Sequence, residues 1–305
     1  MNDRAALEVA LAANPDDFAT HAAYADLLAE QGDPRGDFIR LQLALEDRKQ
    51  PAERLRAMEQ EAAQLRRRHE PDWIGPLAEF ANLTGWRNPR GNRVEVRRPN
   101  VEFTYRRGWL DTLRVRTLSR AVAAALSGCP TARLLADLEV VSYRMSDLLP
   151  LLPLANLVRL RWSEGDEEPD RQPGEGGPGW FHDVAPTYFP APADFSPAQL
   201  PRLRSLSLRW QYRGDDGVRF LLATGLLGRL QSLDLRECAI TDDGAQALAA
   251  HPAVPKLDDL HLDDNHISPV GIDALAAVGV VISQRQHLGP TPGGGDEPAD
   301  GEIEF

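Results

Sequence analysis

Hydrophobic and polar positions alternate in one hexamer that occurs three times at a spacing of 27 residues: Leu203-Arg204-Ser205-Leu206-Ser207-Leu208, Leu230-Gln231-Ser232-Leu233-Asp234-Leu235 and Leu257-Asp258-Asp259-Leu260-His261-Leu262. The match continues through Gly217/Gly244/Gly271, Val218/Ala245/Ile272 and Leu221/Leu248/Leu275, so a whole structural unit repeats. Leu-x-x-Leu-x-Leu predicts a short strand whose leucines face inward and whose intervening residues face out. The remainder of a unit, Thr241 to Ala249 for example, predicts an N-capped helix. Degenerate copies precede the clear ones: Leu110, Leu113 and Val115; Leu135, Leu138 and Val140; Leu157, Leu160 and Trp162. The step from Leu157 to Leu203 is 46 residues, which predicts an insertion inside one coil.

The first fifty residues carry a helical period instead. Leu7, Ala10 and Leu11 form one stripe, and Asn14-Pro15-Asp16-Asp17 supplies a turn. Phe18, Ala22, Ala25, Leu28 and Ala29 form a second, Gly32-Asp33-Pro34-Arg35-Gly36 a break, and Phe38, Leu41 and Leu45 a third. Pro51 opens a fourth helix along Leu55, Met58, Ala62 and Leu65, which Pro71 is expected to end. Pro71 to Asn92 then reads as a loop. Arg93 to Arg97 and Val101 to Tyr105 alternate as strands, and their expected role is to cap the first coil. A short strand at Val280-Val281-Ile282 is expected to close the stack, and the acidic, glycine-rich residues after Leu288 to be disordered.

Two resemblances follow from these strings. Tyr24-Ala25-Asp26 and Gly32-Asp33-Pro34-Arg35-Gly36-Asp37-Phe38-Ile39-Arg40, within residues 4 to 45, resemble the bacterial repeat-companion domain, a helical module found at the N-terminus of proteins with repeats. Leu27 stands where that pattern usually has Trp. Over residues 105 to 285 the 27-residue units resemble ribonuclease-inhibitor-like leucine-rich repeats, which implies outer helices and a concave parallel sheet. The expected fold is therefore α/β, a leucine-rich-repeat solenoid preceded by a small all-α module. Its expected parts are a helical module over 1–70, a linker and basic cap over 71–109, a solenoid over 110–288 with an insertion at about 163–199, and an acidic tail over 289–305.

Charge changes this picture in one respect. The net charge is -12, yet ten arginines lie between Gly85 and Arg120 against three acids. Such segregation predicts internal pairing or partner steering. With Trp86, Phe103, Tyr105 and Trp109 interleaved, it also raises nucleic-acid binding as the alternative function, against which the overall acidity stands. The insertion carries Trp180, Phe181, Tyr188, Phe189 and Phe195, too many aromatics for a purely solvated loop, and Trp180 to Phe195 is expected to pack on the solenoid rim or form part of a binding edge.

Chemistry-bearing motifs are missing: there is no phosphate loop, nucleophile elbow or paired metal-ligand motif, and no cofactor or enzymatic activity is expected. His261, Asp263, Asp264 and His266 are dense but straddle a strand end, and no metal is expected there. Cys129 and Cys238 read as small buried hydrophobes, and no membrane span or leader is present, so a cytoplasmic monomer is expected. The function that remains is a non-catalytic scaffold binding a protein partner through its outward strand residues. The candidates are Arg114, Arg116, Arg159, Arg161, Arg209, Asp234, Arg236, Asp259, His261 and Asp263, with Trp210 as an aromatic anchor.

Overall fold

A computed structural model describes residues 3–81, 99–142, 148–163, 195–209, 213–280 and 286. Four helices open the chain: α1 (Asp3–Ala13), α2 (Phe18–Glu30), α3 (Arg35–Leu45) and α4 (Ala52–Ile74), followed by the single turn α5 (Ala78–Ala81). Asp17 caps α2 by accepting from the Ala19 N–H at 3.2 Å. Gly36 lets α3 press against α2, since a Cβ there would lie 2.6 Å from the Ala25 carbonyl oxygen. Asp26 and Asp37 pair with Arg40 on the surface, at 2.7 and 3.2 Å.

Pro71 does not end α4, contrary to expectation. The helix runs on to Ile74, and the helical part of the chain continues to Ala81. The ring removes the hydrogen bond to the Arg67 carbonyl, at a cost of about 3 kcal/mol. The three further residues bury Trp73 and Ile74, which offsets that cost at about 1.5–3 kcal/mol per side chain. Trp73 stacks on Phe38 at 4.9 Å and meets Tyr105 edge-on at 6.3 Å. Gly75, at φ +54, then turns the chain away.

The strands form one seven-stranded sheet in chain order, β1 (Val101–Arg106), β2 (Trp109–Val115), β3 (Asp137–Val141), β4 (Arg159–Ser163), β5 (Ser205–Arg209), β6 (Ser232–Asp234) and β7 (Asp259–His261). β1 and β2 are an antiparallel hairpin, and every later strand is parallel to its neighbour. The register never slips between β2 and β7: Leu113, Leu138, Leu160, Leu206, Leu233 and Leu260 share one row. β4 and β5 stay in phase although more than forty residues separate them, so the insertion leaves the stack intact. At its end Phe195 is fully buried and stacks on Phe220 at 6.0 Å. Trp180 to Phe189, Trp210, Arg93 to Arg97, Val281-Ile282 and the tail lie outside the described residues.

Behind the sheet lie α6 (Arg120–Ser127), α7 (Gly214–Thr224), α8 (Asp242–Ala249) and α9 (Pro269–Ala277), and α7, α8 and α9 pack in succession. Their N-termini are joined by carboxylates. Asp215 accepts from the Thr241 N–H (2.9 Å), Thr241 Oγ1 (2.6 Å) and the Gly244 N–H (3.0 Å) of the next coil. Asp242 repeats this one coil on, with Ser268 and Gly271. The recurrent glycine has its reason here: a Cβ on Gly244 or Gly271 would lie 2.3 or 2.6 Å from the incoming carboxylate oxygen. In the third such position stands Pro269.

The inner turns are closed by the buried side chains of Asn265 and Cys238. Asn265 Oδ1 accepts from the N–H groups of Cys238 and Ile240, both at 3.0 Å, and Nδ2 donates to the Leu235 and Leu262 carbonyls, both at 2.9 Å. Cys238 Sγ reaches the Leu208 carbonyl at 3.0 Å. Gln286 carries the ladder one step further, donating to the Leu262 carbonyl at 2.9 Å and accepting from the Asn265 N–H at 3.1 Å.

The helical module and the first coil grip each other at the hairpin turn. Arg107 and Gly108 both have positive φ, as a two-residue hairpin turn requires. Arg107 Nε and Nη2 meet Glu46 at 2.6 and 2.7 Å, and Nη1 donates to the Asp16 carbonyl at 2.9 Å. Beside it Arg35, only 3% exposed, lies over the rings of Tyr24 and Trp109 at 5.4 and 4.7 Å and donates to Tyr24 Oη at 2.7 Å. Burial pushes its pKa down. This arginine is a packed contact between the two parts.

Candidate interaction face

Alternation along each strand sends one set of side chains into the leucine core and the other to the open face of the sheet. Because the register holds, the outward residues form rows across coils. Thr112, Asp137, Arg159, Ser205, Ser232 and Asp259 make one, and Arg114, Glu139, Arg161, Ser207, Asp234 and His261 the next. Neighbours in a row are about 4.8 Å apart along the backbone, within reach of opposite charges.

The structure brings Arg114, Arg159 and Arg161 together around two carboxylates. Arg114 Nε lies 2.9 Å from Glu139, and Arg159 Nη1 lies 2.9 Å from Asp137. Arg161 spans both, at 3.0 Å from Glu139 and 3.1 Å from Asp137 Oδ1, the latter a charge contact off hydrogen-bond geometry. The acids are the sunken members: their side chains are 15% and 26% exposed, against 54%, 52% and 38% for Arg114, Arg159 and Arg161. Glu139 and Asp137 belong to the outward row the sequence defines. Their role as the cradle shows only when the coil-to-coil register is known.

The other candidates separate from this group. Arg116 turns to the hairpin, where it meets Glu102 at 2.6 Å and the Pro99 carbonyl at 3.0 Å. Arg209 faces Glu237 at 3.6 Å. Arg236 folds back on Asp234 through two bonds of 2.9 and 2.8 Å, and Ser207 Oγ adds a third to that carboxylate at 3.2 Å. Burial alone would raise the Asp234 pKa, but the Arg236 bonds and charge outweigh it and hold the carboxyl below its ordinary value. Asp259 and His261 stand exposed on β7, and Asp263 follows just past the strand. Trp210 lies outside the described residues, so the structure does not place the aromatic anchor.

The arginine-rich segment is engaged internally wherever it is described on the hairpin. Arg106 meets Asp16 at 3.0 Å, and Arg107, Arg114 and Arg116 each hold a carboxylate as given above. Its aromatics are structural: Trp109 is 2% exposed and stacks on Tyr24 at 5.4 Å, while Tyr105 packs edge-on against Phe38 and Phe103. Trp109 is closed to a base by this packing, and Trp86 lies outside the described residues. The described arginines of the hairpin thus join the helices and coils to one another, while Arg87, Arg90, Arg93, Arg97 and Arg98 lie outside the described residues.

Among the described residues no group of three or more His, Cys, Asp or Glu side chains could hold a metal ion, and no helix is long and apolar enough to cross a membrane. Both cysteines are buried and neither is in a disulfide, and burial pushes the Cys129 thiol pKa up.

No curated protein and no solved structure matches the chain. A family model described as Leucine Rich repeat matches residues 230–249 and 255–276, the segments that contain β6 with α8 and β7 with most of α9. The last coils of the sheet are therefore leucine-rich repeats, the unit that the 27-residue period marks out.

Proposed function

We propose that the chain is a non-catalytic scaffold, acting as a monomer in the bacterial cytoplasm, that binds a protein partner through the open face of its repeat sheet. The observation that carries this reading is the pair of in-register outward rows from β2 to β7, which hold polar and charged side chains in fixed positions on a rigid sheet. Leucine-rich repeats generally mediate protein–protein interaction, and a parallel sheet on a packed core pre-organises its outward side chains at little entropic cost. The helical module supports the reading as the element that fixes the first coil, through Arg107 and Glu46.

A photoreactive residue at Ser205 or Ser232, both on the first row, tests it against the same probe at Gln246 on α8. Illumination in the native cell should give protein adducts at the two sheet positions and not on the helix. Adducts from Gln246 alone, or none at any position, would overturn the proposal.

A further inference from the structure

The geometry points to Arg114, Arg159 and Arg161 as a docking patch for a short acidic segment of that protein partner, an inference that rests on the sheet-face reading above. The patch holds three guanidinium groups against two carboxylates, and its charges are layered. Asp137 and Glu139 lie against the sheet at 15% and 26% exposure, while the arginines above them are 38–54% exposed. An approaching molecule meets cationic groups first. The buried acids hold those groups in place, so that little side-chain freedom is left to lose on binding.

Arg114 reaches Glu139 through Nε and Arg159 reaches Asp137 through Nη1, and a guanidinium has five N–H donors. Both therefore keep donors for an incoming carboxylate, which arginine recognises through paired N–H bonds. Arg159 and Arg161 stand two residues apart on β4, at a strand repeat of about 6.6–6.8 Å. An extended acidic segment lying along β4 presents alternate carboxylates at the same repeat. Arg114 lies two strands away, about 10 Å, and meets a third acid or the segment's end.

A nucleic acid fits less well. Sequence-independent binding of a strand needs a continuous cationic track and aromatic platforms. Here the row passes from Arg161 to Ser207 and then Asp234, and the two outward rows contain no Phe, Tyr or Trp.

The test uses the full chain and a fluorescein-labelled deca-glutamate peptide, read by anisotropy at about 20 mM salt, where surface charges are weakly screened. Saturable binding is expected, at least about tenfold weaker at about 200 mM salt. Deca-lysine should not bind, and a single-stranded RNA of equal length should bind at least about tenfold more weakly. The double variant R114Q/R159Q should lose about tenfold or more in affinity. It leaves Arg161 in contact with both Asp137 and Glu139, so neither acid is stranded. R219Q, on α7, should leave binding unchanged. No saturable binding, an unaffected double variant, or RNA binding as tight as the peptide would each overturn the inference. If the peptide fails while adducts at Ser205 and Ser232 persist, only the acidic partner is wrong; loss of the adducts as well removes the sheet-face reading with it.

Discussion

The Asp242 carboxylate holds Ser268 of the following coil by its backbone N–H at 2.8 Å and its Oγ at 2.6 Å, and Asp215 holds Thr241 in the same way one coil earlier. A residue near the start of one helix thus caps the next helix. In a stack where each unit touches only its neighbours, such contacts are the interface energy itself. Asp242→Ala strands three donors, and should cost about 2 kcal/mol in urea unfolding. Asp243→Ala, one residue away and exposed, should change stability by less than about 0.5 kcal/mol.

Asn265 is fully buried; its Oδ1 accepts two bonds, and its Nδ2 donates to the Leu235 and Leu262 carbonyls and, at 3.4 Å, to the Asp263 carbonyl. Asn265→Ala should cost about 3 kcal/mol, since the Cys238 and Ile240 N–H groups and the Leu235 carbonyl lose their Asn265 bond without gaining water, while Gln286 still donates to the Leu262 carbonyl. Asn265→Asp keeps the shape but turns a donor into an acceptor facing the Leu235 and Leu262 carbonyls. It should therefore be no more stable than the alanine variant. A calorimetric Tm for each variant checks the order.

Acid should loosen the junction between the helices and the hairpin. The Arg107 hydrogen bonds hold the Glu46 carboxyl below its ordinary value. A depressed folded-state pKa contributes stability that is present above the unfolded value and is lost as pH falls through the folded one. The Arg107–Glu46 contribution should therefore persist at neutral pH and vanish below the ordinary carboxylate range. Unfolding free energy measured against pH should show a shallower acid slope in Glu46→Gln than in the parent, and the two curves should converge at low pH.

Tyr105 carries a cost the fold does not recover. Its hydroxyl is buried with no hydrogen-bond partner, and burial pushes its pKa up. Its ring packs against Phe38, Trp73 and Phe103, so Tyr105→Phe keeps every ring contact. Removing the unpaired hydroxyl should stabilise the protein by about 1 kcal/mol, read as a higher urea midpoint.

Local periodicity carried much of this structure. The leucine spacing located β2 to β7, including the coils where the repeat is degenerate, because a strand that buries alternate residues imposes the same pattern wherever it occurs. Contacts between distant segments were not legible. Nothing within a few residues of Pro71 tells that Trp73 will pack on Phe38, thirty-five residues earlier, and carry the helix past the proline. Arg35 sits in a run of turn residues, and its burial against Trp109 depends on a hairpin far along the chain. On the candidate face the sequence lists which side chains point out. Which arginine meets which acid depends on the register across coils of 25, 22 and 46 residues, and only the stacked strands supply that.

Pro269 gives the array a direction of growth. It occupies the place of Asp215 and Asp242, and it has no carboxylate to offer a further helix. A coil appended after α9 would begin with its helix start unheld. Duplicating residues 230–256 in tandem, by contrast, would leave Asp215 behind the first copy, put the first copy's Asp242 behind the second, and give each copy an Asp242 to pass on. Lengthening by gene duplication thus keeps the carboxylate link in the interior of the stack and loses it after α9. A lineage that extends this protein would be expected to insert coils ahead of Leu257 and keep the proline-bearing coil last.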